Sequence, residues 1–511
     1  MKNLLLAIDI GTSACKIAIF YPDGKIASDC TKTYQTSYPA PGWVEQDPNE
    51  WWQAICEGIR ECLRRGNINP HEIAGIGIDG QSWSCIPIDK NGEVLCPTPI
   101  WMDTRAKAVC DRVNSEIGPE RILSLSGNSF QPSYTTPKIL WFRENRPEIY
   151  RNTSKFLQSN SFIAYRLTGV ISQDVSQGYG LHVFDIAKRS YSESMCREMG
   201  ISINQLPEIF ECHEVVGTVC AKAAEQTGLC EGIPVVAGGL DAACGTLGAG
   251  VCCPGQTQEQ GGQAGGMSIC LDRPIADKSL ILSPHVVPNL WLLQGGTVGG
   301  GGSLRWLAKE LGEPEKAIAE NTGENLFKLL DDLAGKVRSG SDGVIFLPYL
   351  SGERSPIWDP NAKGVFFGLS YDKTRAHFFR ALLEGAAYAL EHNLQTAEKA
   401  GVPVDVMHAM GGAANSRLWT QIKADVTGKT IRVPASDNAS TLGAAILAGV
   451  GTGVYPNFEE AVKKTIQIKR EHVPDMEKHK LYQKYFKIYL EIYERLKPTM
   501  AEHAQILSQE Q

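Results

Sequence analysis

The chain begins with a strand-like segment that ends in an acid and runs directly into a small polar turn. LLLAIDI (4–10) is followed by Gly11-Thr12-Ser13 and then by a second apolar segment, KIAIFY (16–21). This order predicts a β-hairpin. Near residue 256 the pattern returns, because TQEQ leads through the glycine-rich GGQAGG into the apolar MSICL. We therefore predict one fold used twice, with a phosphate-sized glycine turn in each copy.

Between and after these hairpins, apolar runs of strand length alternate with segments of helical period. Strands are predicted at IAGIGID, SCIPID, PVVAGG, DGVIFLPYL and VMHAMGG, and helices near 48–65, 104–116, 137–146, 303–312, 375–401, 416–428 and 440–451. A last helix places Leu481, Tyr485, Tyr489, Ile492 and Leu496 on one face. Such alternation indicates an α/β architecture. In the 511 residues we place one domain boundary near residue 250, giving domains 1–250 and 251–511.

Composition excludes several classes of protein. The net charge of −7 argues against a general binder of nucleic acid or of anionic membranes. We find no signal segment and no apolar run long enough to span a membrane. The fifteen cysteines are odd in number and scattered, which favours reduced thiols in the cytoplasm over a disulfide framework. No histidine sits at metal-ligand spacing, so a structural zinc is not expected.

The first candidate site is the turn at the chain start. Asp9 could hold Mg²⁺, while Gly11, Thr12 and Ser13 offer amides and hydroxyls to phosphate oxygens, and Lys16 could reach the transferred phosphoryl group. An ordinary hairpin turn, with Asp and Gly in turn positions, explains this motif equally well.

Two glycine-rich segments later in the chain carry the same ambiguity. In Gly411-Gly412-Ala413-Ala414-Asn415-Ser416 the glycines would let a nucleotide approach, with Ser416 or Asn415 capping the next helix, or they would only allow tight packing. Gly299–Gly302 has the same two readings. Asp241, in VVAGGLDAACG, could accept the proton of a sugar hydroxyl, or it could cap a helix that starts at Ala242.

Taken in order, these segments resemble the actin/hexokinase/Hsp70 ATPase superfamily. SYTTPKILWFREN (133–145) and GVFFGLSYDKTRAHFFRALLEG (364–385) resemble the two signature regions of the FGGY carbohydrate kinases. FLPYLSGERSPIWDP (346–360) and WVEQDPNEWW (43–52) are similar to the xylulokinase branch of that family. The resemblance extends from residue 1 to about 495.

The resemblance implies two ribonuclease-H-like α/β domains around a central cleft, with ATP and Mg²⁺ as cofactors and a small sugar as substrate. It places Asp241 as the catalytic base and Asp9 as the catalytic and metal-binding acid. The implied nucleotide and phosphate contacts are Gly11, Thr12, Ser13, Lys16, Gly262, Gln263, Gly301, Arg305, Gly412, Ala413 and Ser416. The implied substrate contacts are Gln81, Ser82, Trp83, Trp101, Asp103, Asp241 and Ala242.

The sequence departs from the family pattern at two sites. Ser82-Trp83-Ser84 replaces a Met-His-Gly substrate loop and Asp241-Ala242 replaces Asp-Asn, so two side chains that would bond sugar hydroxyls are missing. Gly262-Gln263-Ala264-Gly265 replaces Gly-Thr-Ser-Gly, which removes two hydroxyls from the second phosphate turn.

The expected function is therefore an ATP-dependent kinase for a ketopentose such as xylulose. Other ketoses or alditols (ribulose, erythritol, glycerol) stay open, as does a sugar- or nucleotide-binding regulator that has lost turnover. An Hsp70-like ATPase would lack the FGGY stretches. No partner among nucleic acids or membranes is expected; dimers are common in the family, although no residue pattern here marks an interface.

Overall fold

A computed structural model describes residues 3–436 and 438–509, with side chains up to residue 507. The chain forms two compact units. The first contains residues 3–254, 270–292 and 438–467, and the second contains 255–269, 293–436 and 468–509. The division near residue 250 into a sugar half and a nucleotide half stays a prediction, and the first unit is completed by two segments from later in the chain.

The strands are short and most belong to two large sheets. They are β1 Leu4–Ile10, β2 Ala14–Phe20, β3 Ile26–Thr33, β4 Glu45–Gln46, β5 Ile73–Gly80, β6 Ile86–Ile88, β7 Thr98–Pro99, β8 Lys155–Leu157, β9 Ser172–Asp174, β10 Phe184–Asp185, β11 Ser190–Tyr191, β12 Glu208–Phe210, β13 Val215–Thr218, β14 Pro234–Val236, β15 Gly239–Leu240, β16 Gln256–Gly261, β17 Gly265–Leu271, β18 Ile281–Pro284, β19 Trp291–Thr297, β20 Ile345–Leu347, β21 Val365–Phe367, β22 Val406–Met410, β23 Thr430–Pro434 and β24 Ile468–His472.

The helices alternate with these strands, which confirms the predicted α/β class. They are α1 Pro48–Gly66, α2 Lys107–Ile117, α3 Pro119–Ser126, α4 Thr135–Asn145, α5 Pro147–Asn152, α6 Ser159–Thr168, α7 Glu193–Met199, α8 Ala221–Thr227, α9 Asp241–Gly248, α10 Gly301–Leu311, α11 Glu313–Thr322, α12 Leu326–Ala334, α13 Arg375–Lys399, α14 Arg417–Thr427, α15 Ala439–Gly451, α16 Phe458–Thr465 and α17 Met476–Gln509. Among the described residues, no helix combines the length and apolar character needed to cross a bilayer.

The two large sheets share one strand plan. In the first, the order is β13-β14-β5-β1-β2-β3, with β1 antiparallel to β2 and parallel to β5. In the second, the order is β18-β19-β17-β16-β22-β23-β24, with β16 antiparallel to β17 and parallel to β22. Each sheet therefore has a hairpin whose first strand pairs with a parallel strand from later in the chain, as the repeated sequence pattern predicts.

Helix α15 packs closely on the first sheet and on α9 because glycine is present at the contacts. A Cβ added at Gly77 of β5 would lie 1.9 Å from the carbonyl oxygen of Ala444. One added at Gly443 would lie 1.9 Å from the carbonyl oxygen of Cys244. Both distances are far below van der Waals contact, so no larger residue fits at either position without moving the helices.

One local expectation is wrong and a second is confirmed in part. The predicted strand 234–239 is divided into β14 and β15, because Gly238 between them has φ +80° and lies against the carbonyl of Ile78. In α17 the predicted face packs on the core of the second unit through Tyr485, Tyr489, Ile492 and Leu496. Leu481 is exposed instead, and Tyr482 and Phe486 occupy buried positions around Tyr388.

Candidate functional site

Strand register in the first sheet brings three charged side chains into one row. Asp9 of β1 lies opposite Lys16 of β2 and opposite Asp79 of β5. Residues paired in this way point to the same face of a sheet. Strand β15 also pairs with β5, through Gly239 opposite Asp79, and Asp241 follows β15 directly. Three carboxylates thus meet where β1, β5 and β15 end.

Burial dominates the electrostatics of these acids. Asp79 is 0% exposed, and within the described residues neither of its oxygens has a hydrogen-bond partner. Burial first, and then the negative charges of Asp9 and Asp241, raise the pKa of Asp79 well above its usual value. Burial also raises the pKa of Asp9, whereas its interactions with Asp79 and with Lys16 lower it. The pKa shifts thus favour the protonated form at Asp79 more than at Asp9.

Sequence reasoning missed Asp79. Its signal was an acid at the end of the otherwise apolar strand IAGIGID. Only the parallel register of β1 with β5 shows that this acid lies beside Asp9. Register between strands separated by 70 residues and a helix cannot be read from a single sequence.

Asp241 is the first residue of α9 and is partly exposed. Its Oδ1 accepts the N–H of its neighbour Ala242 at 2.6 Å, and Leu240 occupies the N-cap position. Burial first, and then the charge of Asp9, raise the pKa of Asp241 to about 7, although the Ala242 bond opposes them. A carboxylate with this pKa is suited to take a proton from a hydroxyl near neutral pH.

The turn after β1 presents one hydroxyl freely and has the other engaged. The Thr12 hydroxyl accepts the indole N–H of Trp101 at 2.9 Å, and its carbonyl accepts the amide of Gln46 at 2.5 Å. Ser13 is exposed. The Gly11 carbonyl accepts the hydroxyl of Tyr34, which fixes the backbone of the turn.

Lys16, on the strand that leaves this turn, contacts the start of α15. Its ammonium donates to the side-chain oxygen of Asn438, and its charge lowers the pKa of Asp9. A cation beside Asp9 and close to the exposed Ser13 is suited to an anionic phosphoryl group.

The predicted substrate loop is walled by aromatic rings. Trp83 adopts φ +58°, in the left-handed region, and stacks on Tyr134 with ring centroids 4.1 Å apart. Ser82 accepts the hydroxyl of Tyr179 at 3.0 Å. One face of the Trp83 indole is thus covered by Tyr134. The buried indole N–H has no acceptor among the residues that the structure describes.

Two predicted substrate residues are already engaged. The Gln81 side chain is 1% exposed and donates to Gln46 at 2.9 Å. Both oxygens of Asp103, which is fully buried, accept from Arg105, and one also accepts the N–H of Val44. These side chains hold the surrounding loops, and their direct contact with a sugar stays a prediction.

The second unit contains a separate pocket of about 1110 Å³. All of the predicted nucleotide contacts in this unit line it: Gly262, Gln263, Gly301, Arg305, Gly412, Ala413 and Ser416. Residues of α12 and its flanks line it as well, among them Asn325, Phe327, Lys328, Asp331 and Lys336. The sequence did not predict that α12 lines this pocket, because its amphipathic pattern is typical of any surface helix.

The turn Gly262–Gly265 closes over the start of α10. The N–H groups of Gly301 and Gly302 donate to the carbonyls of Gly262 and Gln263 at 2.8 and 2.9 Å. These helix amides are therefore not available to an anion. The Gln263 side-chain oxygen accepts from the guanidinium of Arg305, which places this cation at the turn.

Ser416 is the N-cap of α14, one of the two residues predicted to cap this helix. Its hydroxyl accepts the N–H of Trp419 at 2.9 Å, and the same residue lines the pocket. Contact of this motif with a nucleotide stays a prediction. Gly411 has φ +84°, which glycine adopts readily.

No group of three or more His, Cys, Asp or Glu side chains within 3–436 and 438–509 is arranged to hold a metal ion. Asp9, a partly exposed carboxylate, fits a different mode, in which Mg²⁺ is held by one or two carboxylates and the phosphates of a bound nucleotide. The carboxylates of Asp9, Asp79 and Asp241 are therefore compatible with a bound Mg²⁺.

Comparisons with known proteins agree along almost the entire chain. The model of the N-terminal domain of the FGGY family of carbohydrate kinases matches residues 4–248, and that of the C-terminal domain matches residues 270–452. A xylulose kinase of Staphylococcus epidermidis is 32% identical over 98% of this chain and 99% of its own.

An autoinducer-2 kinase of Salmonella paratyphi A is 33% identical over 94% of this chain and 92% of its own. The crystal structure of a xylulose kinase from Rhodospirillum rubrum superimposes with a TM-score of 0.89 at 28% identity, covering 98% of this chain and 100% of that one.

Proposed function

This chain belongs to the FGGY family of carbohydrate kinases, which use ATP as phosphate donor, and on that premise we propose that it phosphorylates a small ketose, with D-xylulose as the first candidate. The observation that supports this most is Asp241, a partly exposed carboxylate whose pKa is raised to about 7 beside Asp9 and Lys16. Proteins named xylulose kinase are similar along nearly the full chain.

In this proposal Asp241 accepts the proton of the attacking sugar hydroxyl. Lys16 and the exposed Ser13 orient the transferred phosphoryl group, and Asp9, held by Asp79, binds Mg²⁺ directly or through water. Mg²⁺, when bound, neutralises charge on the phosphate oxygens. In the second unit, Arg305 and the pocket around Gly412 bind the nucleotide. All fifteen cysteines are thiols, the state that a reducing cytoplasm maintains, and the cytoplasm is the proposed location.

Two features leave the acceptor sugar open. Trp83 stands where the family pattern has a histidine that would bond hydroxyls, and its ring packs against Tyr134 and Tyr179. The similarity to an autoinducer-2 kinase is as high as that to xylulose kinases. An acceptor with fewer hydroxyls on one side is therefore the second candidate, since a pocket built for a hydroxyl pattern rejects analogues that leave its polar groups unpaired.

A coupled assay of ADP release from Mg-ATP tests the proposal. The panel contains D- and L-xylulose, D- and L-ribulose, xylitol, erythritol, glycerol, hexuloses and autoinducer-2. We expect strong release with one ketose and little without a sugar. The proposal would be contradicted if the protein binds ADP but releases none from Mg-ATP with any sugar of the panel. That result would favour a binding protein on a kinase fold.

A further inference from the structure

Lys138 is a fully buried lysine in the first turns of α4. Its ammonium donates to three backbone carbonyls: Ser133 at 2.6 Å, Ile100 at 2.7 Å and Trp83 at 2.9 Å. An ammonium has three donors, so each one is used. No carboxylate forms an ion pair with it in the part of the chain that the structure describes. Burying a charge is costly. Burial lowers the pKa of Lys138 to about 7, whereas the negative charge of Asp103 acts in the opposite direction.

The three carbonyls come from three separate segments, and each segment carries a ring of the proposed sugar pocket. The first belongs to Trp83 itself. Ile100 precedes Trp101, whose indole N–H bonds to Thr12 of the phosphate turn. Ser133 precedes Tyr134, which stacks on Trp83. One ammonium therefore connects residues 83, 100 and 133, which are distant in sequence.

The backbone at Trp83 needs such a constraint. A bulky residue at φ +58° is held in a sparsely populated conformation, which persists only where the surroundings over-determine it. The bond from Lys138 fixes the direction of the Trp83 carbonyl. Gly180 completes the fit, because a Cβ there would lie 2.7 Å from the indole ring.

We propose that Lys138 is a positioning residue that sets the shape of the acceptor-sugar pocket by tying the Trp83, Trp101 and Tyr134 segments to one point. The proposal rests on the proposed function, since the ligand of this pocket is the acceptor sugar. Lys138 does not touch the sugar; it acts through Trp83 and the two neighbouring segments.

Lys138→Met removes the donors and keeps most of the side-chain volume. We expect the KM for the best sugar to rise about 10- to 100-fold, a range typical of losing pocket order, whereas the affinity for ADP stays within about 2-fold of the wild type. The matched control is Lys155→Met: Lys155 also donates to a backbone carbonyl, that of Leu206 at 2.8 Å, but outside this pocket. Its KM should stay at the wild-type value.

If Lys138 only stabilises the fold, Lys138→Met and Trp83→Ala should change the sugar KM independently of each other. A double-mutant cycle distinguishes this case from a role in positioning Trp83. In a Trp83→Ala background, Lys138→Met should raise the sugar KM by less than about 3-fold, because the ring that it positions is already absent. The proposal would be overturned if the effects of Lys138→Met and Trp83→Ala on the sugar KM multiply in the double variant. An equally large rise of the sugar KM in Lys155→Met would overturn it as well.

Lys138→Gln serves if the methionine variant does not fold, because the amide keeps part of the hydrogen bonding. It should show an intermediate rise in sugar KM. A wild-type KM in either folded variant, or failure of both to fold while Lys155→Met folds, would leave Lys138 with a structural role alone. Absence of sugar-dependent turnover in the wild type would instead contradict the proposed function.

Discussion

The two glycine turns occupy equivalent places in two sheets with the same strand plan, yet they carry opposite chemistry. The β1–β2 turn lies beside three acids, of which Asp79 is fully buried, and Lys16 is the cation paired with Asp9. The β16–β17 turn lies at a pocket lined by the cations Arg305, Lys328, Lys336 and Arg417 and by the acids Asp331 and Asp332. The two turns share one backbone plan, so the difference between them comes from their side chains. In the proposed function, the first turn serves proton transfer and the second serves nucleotide binding.

The largest effect should come from Asp241→Asn, which keeps the shape of the side chain and removes the base. We expect kcat to fall by a factor of about 10² to 10⁴. The affinity for ADP, measured by isothermal titration calorimetry, should not change, because the nucleotide pocket lies in the other unit. The control is Asp23→Asn, at an acid of the β2–β3 turn whose side chain is 45% exposed and pairs with Lys25. Turnover of Asp241→Asn at the wild-type rate would remove Asp241 from the mechanism.

A smaller effect should come from the second turn. Arg305→Ala should weaken ADP binding about 10- to 100-fold, the range for hydrogen bonds to charged groups, and leave kcat at saturating ATP nearly unchanged. Gln263→Ala should weaken it about 3- to 10-fold, since Gln263 holds the guanidinium of Arg305.

Coupling between the two side chains sharpens this test. The double variant should bind ADP no more weakly than Arg305→Ala, and adenosine binding should be unaffected throughout. Arg338→Ala, at an exposed arginine paired with Asp342 outside the nucleotide pocket, is the control. Fully additive losses for Gln263 and Arg305 would show that Gln263 contacts the nucleotide independently.

The smallest expected effect is on stability, through Asp79. A carboxyl whose pKa is raised by folding stabilises the protein fully below its unfolded pKa of about 4 and loses that contribution as pH rises through its folded pKa. Asp79→Asn should therefore raise the melting temperature at pH 8 relative to the wild type and flatten its fall between pH 5 and 8. The slope removed is at most about 1.4 kcal/mol per pH unit for one proton. Parallel melting curves would contradict the protonation of Asp79.

Features with a local sequence signal were predicted, and features that depend on long-range register were not. Asp9 and Gly11 lie in a hairpin of adjacent residues, so the turn was predicted from its own sequence. The nucleotide contacts came from resemblance, and the seven of them that belong to the second unit line one pocket. Asp79 was missed because its partner, Asp9, lies 70 residues away on another strand. Lys138 was missed because its partners are backbone carbonyls, which every residue has and which therefore leave no mark in a sequence.

The surroundings of Trp83 show the same limit. An isolated tryptophan has two free faces, and only the folded chain shows that Tyr134 covers one of them. Contact of Trp83 with a sugar stays a prediction.

The pH dependence of sugar phosphorylation at saturating Mg-ATP tests the central assignment most directly. Asp241 must be deprotonated to accept the hydroxyl proton, and burial raises its pKa to about 7. The account predicts that kcat/KM for the best sugar rises about tenfold per pH unit below that value and levels off above it. A profile that is flat from about pH 5.5 to 8.5 would contradict Asp241 as the catalytic base.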